Sequence, residues 1–208
     1  MAKLYSAMLS RGRTVRETEV KLRVKDVNGL IRKLKRLGCH CSGRVLERNT
    51  LFDTPDSDFR RRGRLLRVRT EAPAPSRLVR GGSRRTLMTS KSPALASAGS
   101  RYKEKLEREL VVRSAARWPA ALRSLGFRPG FSYEKYRTTF RLPGLHLDLD
   151  ETPVGVFLEL EGSPRAIDRA ARSLGFSRRD YIRGTYWDLY AAECRRRGRV
   201  PRNMLFAA

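Results

Sequence analysis

No largely apolar stretch of this chain approaches the roughly 20 residues that cross a bilayer as a helix. The longest, such as Val154 to Leu160, are strand-sized, so a membrane-spanning protein is not expected. Cysteine is scarce and odd in number, with only Cys39, Cys41 and Cys194, which excludes a disulfide scaffold. Cys39-His40-Cys41 lacks the second ligand pair that a zinc site needs, and reduced thiols fit better. Residues Met1 to Arg16 are basic but carry neither the continuous apolar segment nor the small-residue cleavage site of a signal peptide. A soluble, cytoplasmic protein is the expectation. Acidic residues are also few: 21 Asp and Glu stand against 46 Lys and Arg in 208 residues, a formal charge of +25. Such an excess attracts polyanions, whether nucleic acid, an anionic membrane surface or a polyphosphate substrate. The aromatic signature of an RNA-binding sheet is missing, so any RNA affinity is expected to be weak and salt-sensitive.

What is present is the composition of a folded chain, 40% hydrophobic and 32% charged, of a length suited to one domain. Helical periodicity is plain in three places. Asp26 caps a run with Val27, Leu30, Ile31, Leu34 and Leu37 on one face and Gly38 as a stop; Ser114 to Gly126 repeats the design with Trp118, Leu122 and Leu125. Ser163-Pro164 opens a third, with Ile167, Ala170, Ala171 and Leu174 before Gly175. Upstream of each lies a Glu-x-Glu pair in a strand-like segment: Glu17 and Glu19, Glu107 and Glu109, Glu159 and Glu161. Their spacing is uneven, which rules out a solenoid. The segments Glu71 to Gly82 and Ser92 to Ser100, rich in Ala, Pro, Ser and Gly, read as loops flanking a short strand at Thr86 to Lys91. Arg195 to Ala208 reads as an exposed basic extension.

The strands alternate charge with apolar side chains. Glu17, Glu19, Lys21 and Arg23 share one face while Val20, Leu22 and Val24 share the other; His146, Asp148 and Asp150 oppose three leucines. In an ordinary sandwich the charged face is solvated. If the amphipathic helices cover the apolar face, a sheet closed on itself turns the charged face inward as a polar tunnel. Carboxylates crowded there need cations, and Mg²⁺ or Mn²⁺ suits pure oxygen ligands. Clustered Lys and Arg need anions with several oxygens. A metal-bound triphosphate satisfies both, which is the chemistry of phosphoryl or nucleotidyl transfer.

Glu17-x-Glu19-x-Lys21 resembles the ExExK signature of the CYTH family, the triphosphate tunnel metalloenzymes, which include class IV adenylate cyclases, thiamine triphosphatases and inorganic triphosphatases. The likeness continues through Leu51 to Thr54, Leu66 to Arg69, Met88 to Lys91, Lys105 to Glu109, Lys135 to Arg137, Leu149 to Pro153 and Phe157 to Glu161. It implies an α+β fold, a closed antiparallel eight-stranded β-barrel with helices packed outside. The domain would span residues 15–192, between a basic extension, 1–14, and a basic tail, 193–208. Carried over by position, Glu17, Glu19, Asp150, Glu159 and Glu161 would be metal ligands, with Glu107, Glu109 and Tyr186 supporting. Lys21, Arg67, Arg69, Lys91, Lys105, Lys135 and Arg137 would bind the triphosphate, and Lys21, Glu17 and Glu19 would be catalytic. Ser92 replaces a common Gly, and Lys105 stands where Arg is usual, which turns a bidentate contact into a point charge. The implied activity is metal-dependent hydrolysis of an inorganic or organic triphosphate. The alternatives are a class IV adenylate cyclase and a noncatalytic RNA or polyphosphate binder. Relatives of this kind often form dimers, so a homodimer is a further expectation.

Overall fold

The computed structural model describes residues 14–78, 84–94, 100–113 and 115–207. Eight strands, β1 (Thr14–Val24), β2 (His40–Asp53), β3 (Leu65–Pro73), β4 (Arg85–Pro93), β5 (Lys103–Val112), β6 (Arg128–Leu142), β7 (Leu145–Thr152) and β8 (Gly155–Gly162), close into an antiparallel barrel. The order around it is β1-β5-β4-β3-β2-β6-β7-β8, with β8 returning to β1. Five helices lie outside: α1 (Val27–Arg36), α2 (Asp58–Arg61), α3 (Trp118–Ser124), α4 (Pro164–Leu174) and α5 (Tyr186–Arg196).

The helices form where the periodicity places them. Asp26 accepts a hydrogen bond from the Gly29 amide and starts α1, and Gly38 beyond its end has φ 74. Ser163 caps α4 from the Ala166 amide, Pro164 supplies its first turn, and Gly175 ends it at φ 90. Ser114 lies outside the described residues; the helix expected over Ser114 to Gly126 is a 3₁₀ turn, Ala115–Arg117, running into α3. Leu30 and Leu34 of α1 and Ile167, Ala171 and Leu174 of α4 pack on Val20, Leu22, Leu147, Leu149, Leu158 and Leu160. Each of these leucine, isoleucine and valine side chains contributes about 1.5–3 kcal/mol on burial. A second cluster joins Leu122 of α3 to Phe52, Leu66, Val68 and Met88. Since the apolar strand faces point outward onto helices, the charged faces point into the barrel.

Four boundaries differ from expectation. Glu71 to Pro73 extend β3 and Ser92-Pro93 extend β4, because the barrel ladder continues into segments whose composition reads as loop. Of the amino-terminal extension, residues 1–13 lie outside the described residues, and Thr14 already pairs with Arg108. The carboxy-terminal segment is not wholly an exposed extension. Its arginines at 195, 196, 197, 199 and 202 are exposed, but Met204 is buried and bridges Tyr133. The Met204 amide donates to the Ser132 carbonyl and the Glu134 amide to the Met204 carbonyl, each at 2.9 Å, along the stretch of β6 that β7 leaves unpaired.

Candidate active site

The topology explains the site's charge. β1 pairs with β5 on one side and β8 on the other, so the three Glu-x-Glu strands are neighbours and line one wall. Glu19 stands directly across from Glu161, and Lys21 from Glu159. The opposite wall, β3-β2-β6, carries Arg67, Arg69, Lys135 and Arg137. Together they enclose a cavity of about 1250 Å³.

Within it nearly every charge has a partner. Lys91 Nζ lies 2.5 Å from Glu17 and 2.9 Å from Glu107; Lys103 Nζ lies 2.5 Å from Glu19; Lys21 Nζ lies 2.5 Å from Glu159. Arg137 reaches Asp148 and Asp150 at 2.7 Å and Glu159 at 2.5 Å. Burial, reinforced by Glu19 and Glu107 against the pull of Lys91, raises the Glu17 carboxyl to about 7. Burial pushes Glu19 the same way, yet the Lys103 ammonium holds it at about 2. Burial also raises Glu161, whose carboxylate lies 3.9 Å from His146 Nδ1.

Two cations stand apart. Arg67 is buried, donating from Nη1 to the Tyr133 hydroxyl at 3.3 Å and from Nη2 to Thr89 Oγ1 at 3.2 Å. Its Nε finds no hydrogen-bond partner among the described residues, and the Glu109 carboxylate is 4.0 Å away. Lys105 Nζ donates to the Gly63 carbonyl at 2.8 Å, a carbonyl turned toward it by a backbone at φ 62. Burial and the nearby Lys103 and Lys91 lower the Lys105 pKa. These two offer unspent positive charge to an anion.

Of the residues singled out in the sequence, the cavity gathers Glu17, Glu19, Lys21, Arg67, Arg69, Lys91, Lys105, Glu107, Glu109, Lys135, Arg137, Glu159, Glu161 and Tyr186. Asp150 is the exception: it points inward but is fully buried beneath the cavity lining, its oxygens taken by Lys135 at 2.7 Å, Arg137 at 2.7 Å and the Tyr186 hydroxyl at 2.6 Å. Asp148, two residues earlier, faces the cavity in its stead. Tyr186 is held between Lys21 and Lys135, whose ammonium groups lie 4.7 and 4.8 Å from its ring. Glu47 and Lys103 escaped sequence reasoning. Lys103 has the parity of Lys105 and Glu107, which identifies its face; Glu47 sits on a strand polar on both faces and gives no such signal. Trp187 packs on the cluster of Phe131, Tyr133, Phe157 and Tyr186 and also lines the cavity.

A hard divalent cation fits the donor chemistry of Glu17, Glu19, Glu159 and Glu161, all carboxylates on one wall. Among the described residues no three His, Cys, Asp or Glu side chains already converge as a metal cluster. The ion would compete with Lys91, Lys103 and Lys21 for these oxygens.

The profile of the CYTH domain matches residues 15–186. A proposed adenylate cyclase of Methanocaldococcus jannaschii is 24% identical over 184 residues, covering 83% of this chain and 97% of that protein. A solved structure from Pyrococcus horikoshii superposes with a TM-score of 0.69 at 22% identity, covering 85% of this chain and 99% of the other. A proposed adenylyl cyclase of Hippeastrum, described as revealing a dominant triphosphatase activity, superposes with a TM-score of 0.53 at 17% identity over 89% of this chain and 97% of its own.

Proposed function

Since the chain belongs to the CYTH domain family, we propose that it is a metal-dependent enzyme that cleaves a triphosphate inside its barrel by hydrolysis. The observation that carries this reading is the buried Arg67, whose free Nε and distant carboxylate neighbour leave it able to take phosphate oxygens. Arg69, Lys91, Lys105, Lys135 and Arg137 would hold the rest of the chain of phosphates. Glu17, Glu19, Glu159 and Glu161 would hold Mg²⁺ or Mn²⁺. When bound, such an ion neutralises phosphate charge and lowers the pKa of a coordinated water. In the hydrolysis a water oxygen bonds to the terminal phosphorus as the bridging P–O bond breaks and diphosphate leaves. Arg67 and Lys21 would stabilise the charge that grows on the leaving oxygen. Ion pairs with Glu159 and Glu107 keep Lys21 and Lys91 in place before substrate enters, and Tyr133 and Thr89 do the same for Arg67.

A second reading is favoured by the name of the Methanocaldococcus jannaschii relative. As an adenylate cyclase, the same cations would hold ATP while its 3′-hydroxyl attacks the α-phosphorus and diphosphate leaves. Product analysis separates the two. Purified protein with Mg²⁺ or Mn²⁺ is offered tripolyphosphate, ATP and thiamine triphosphate. Released phosphate supports hydrolysis; cyclic AMP with diphosphate supports the cyclase. Ala at Glu17, Glu19 or Glu161 should abolish metal-dependent turnover, and unchanged activity in these variants sinks both readings.

A further inference from the structure

The cavity is larger than a chain of three phosphates requires. Its volume of about 1250 Å³ exceeds the roughly 300–1,000 Å³ that suffices for a drug-sized ligand. Its lining is also divided. Toward the end where β7 begins and β8 finishes, the side chains are polar: His146, Asp148, Glu161 and Arg141. Toward the end where β3 and β6 begin, the lining turns aromatic, with Phe59, Phe131 and Trp187.

At that end the Arg60 guanidinium carbon lies 5.1 Å from the centre of the Trp187 ring. Arg60 is exposed and has no carboxylate partner among the described residues. It is placed by backbone, since Asp53 accepts hydrogen bonds from the amides of Phe59 at 2.9 Å and Arg60 at 3.0 Å and so fixes α2 over the opening. Trp187 is held from behind by Phe131, whose ring centre is 4.9 Å away and nearly perpendicular. A planar cation therefore lies over a rigidly backed indole. Lys105, which has no carboxylate at ion-pair distance among the described residues, lines the same end and donates to Gly63 beside α2. A phosphate chain bound by Arg67 and Lys105 would thus point its far substituent at this rim.

We propose that Trp187 and Arg60 form a stacking subsite for the planar ring of an organic triphosphate, an inference that rests on triphosphate cleavage in the barrel. Every nucleobase has a π-face, so stacking here selects for a planar ring and not for one base. The substrate class is then a nucleoside triphosphate or a comparable heteroaromatic ester, and not the inorganic chain.

Fluorescence and kinetics test this separately. The chain has 2 tryptophans, and Trp118 packs on the outer cluster of α3, away from the cavity. In a Trp118→Phe background Trp187 is the only tryptophan reporter. Titration with the β,γ-imido analogue of ATP in Mg²⁺ should quench its emission, while tripolyphosphate should not. In parallel, Trp187→Ala and Arg60→Ala should lower the ratio of kcat/KM for ATP to that for tripolyphosphate by about tenfold, the effect of one lost stack. The loss should appear in KM, and Trp187→Phe should restore part of the ratio. If tripolyphosphate is cleaved but Trp187 does not respond to the analogue, or if Trp187→Ala lowers both substrates equally, the subsite is overturned and the cleavage reading stands. If no triphosphate is bound or cleaved, the cleavage reading fails and takes the subsite with it.

Discussion

At the scale of single residues, Glu47 shows how the tunnel's charge is organised. It is fully buried, 2.9 Å from Arg69 Nη1 and 3.6 Å from both Lys135 Nζ and Arg137 Nε. Burial opposes its ionisation, but Arg69, Lys135 and Arg137 hold its carboxyl well below the usual carboxylate range. One anion therefore spaces three cations. Removing it takes away the one carboxylate that all three share, although Asp150, Glu159 and Glu109 remain beside them, so Glu47→Gln should lose about 3–5 kcal/mol of stability in urea unfolding. Added tripolyphosphate should raise the Tm of this variant more than that of the parent, because the ligand supplies the missing negative charge. Equal stability of the two proteins would refute the role. Most inward residues were legible in the sequence by their alternation: Glu17, Glu19 and Lys21 oppose a clean apolar face because helices cover that face. Glu47 was not legible, since its outward neighbours Arg48 and Thr50 are polar too. Asp150 was legible as inward but not as sealed, because the Tyr186 hydroxyl that closes over it comes from 36 residues further along the chain.

At the scale of elements, the helices were readable because caps, apolar stripe and stop coincide in a short window of sequence, whereas strand order was not, because each pairing joins distant segments. Nothing local says that β1 lies between β5 and β8. One tie between such distant elements is Asp168 of α4. It accepts from the hydroxyls of Tyr102 and Tyr181, each at 2.8 Å, and is paired with Arg178, so it joins α4 to β5 and to the 3₁₀ turn Arg178–Asp180. Burial works against its ionisation, but the donors, Arg178 foremost, depress its pKa below 3.8. A depressed carboxyl contributes stability above its unfolded pKa and loses it as pH falls through the folded one. Asp168→Asn should therefore cost about 1.5–3 kcal/mol at pH 7. The gap between variant and parent should narrow as acid is added below about pH 4. Acid unfolding curves that stay parallel would contradict this.

At the scale of the whole molecule, many of the acids are drawn inward, and outside them basic residues predominate. The outer faces of α1 and α4 expose Arg32, Lys35, Arg36, Arg165, Arg169 and Arg172. No aromatic platform accompanies them, so affinity for RNA should be electrostatic alone. Binding of a labelled single strand, followed by anisotropy, should fall steeply between about 50 and 200 mM salt. Replacing Arg165, Arg169 and Arg172 with Glu should flatten that dependence. Binding that persists at high salt would mean that a specific contact exists.

The seam between β1 and β8 has a consequence in time. Glu19 and Glu161 are adjacent in space but lie at opposite ends of the domain in sequence. During synthesis the first acidic strand must wait for the last, and until then its outward leucine and valines have only part of their cover. Loop closure over such a separation is slow relative to forming the hairpins β3-β4 or β7-β8. The site is thus assembled by the final zipping step of folding. A nascent chain, however well formed its hairpins, carries no complete acidic wall until β8 leaves the ribosome.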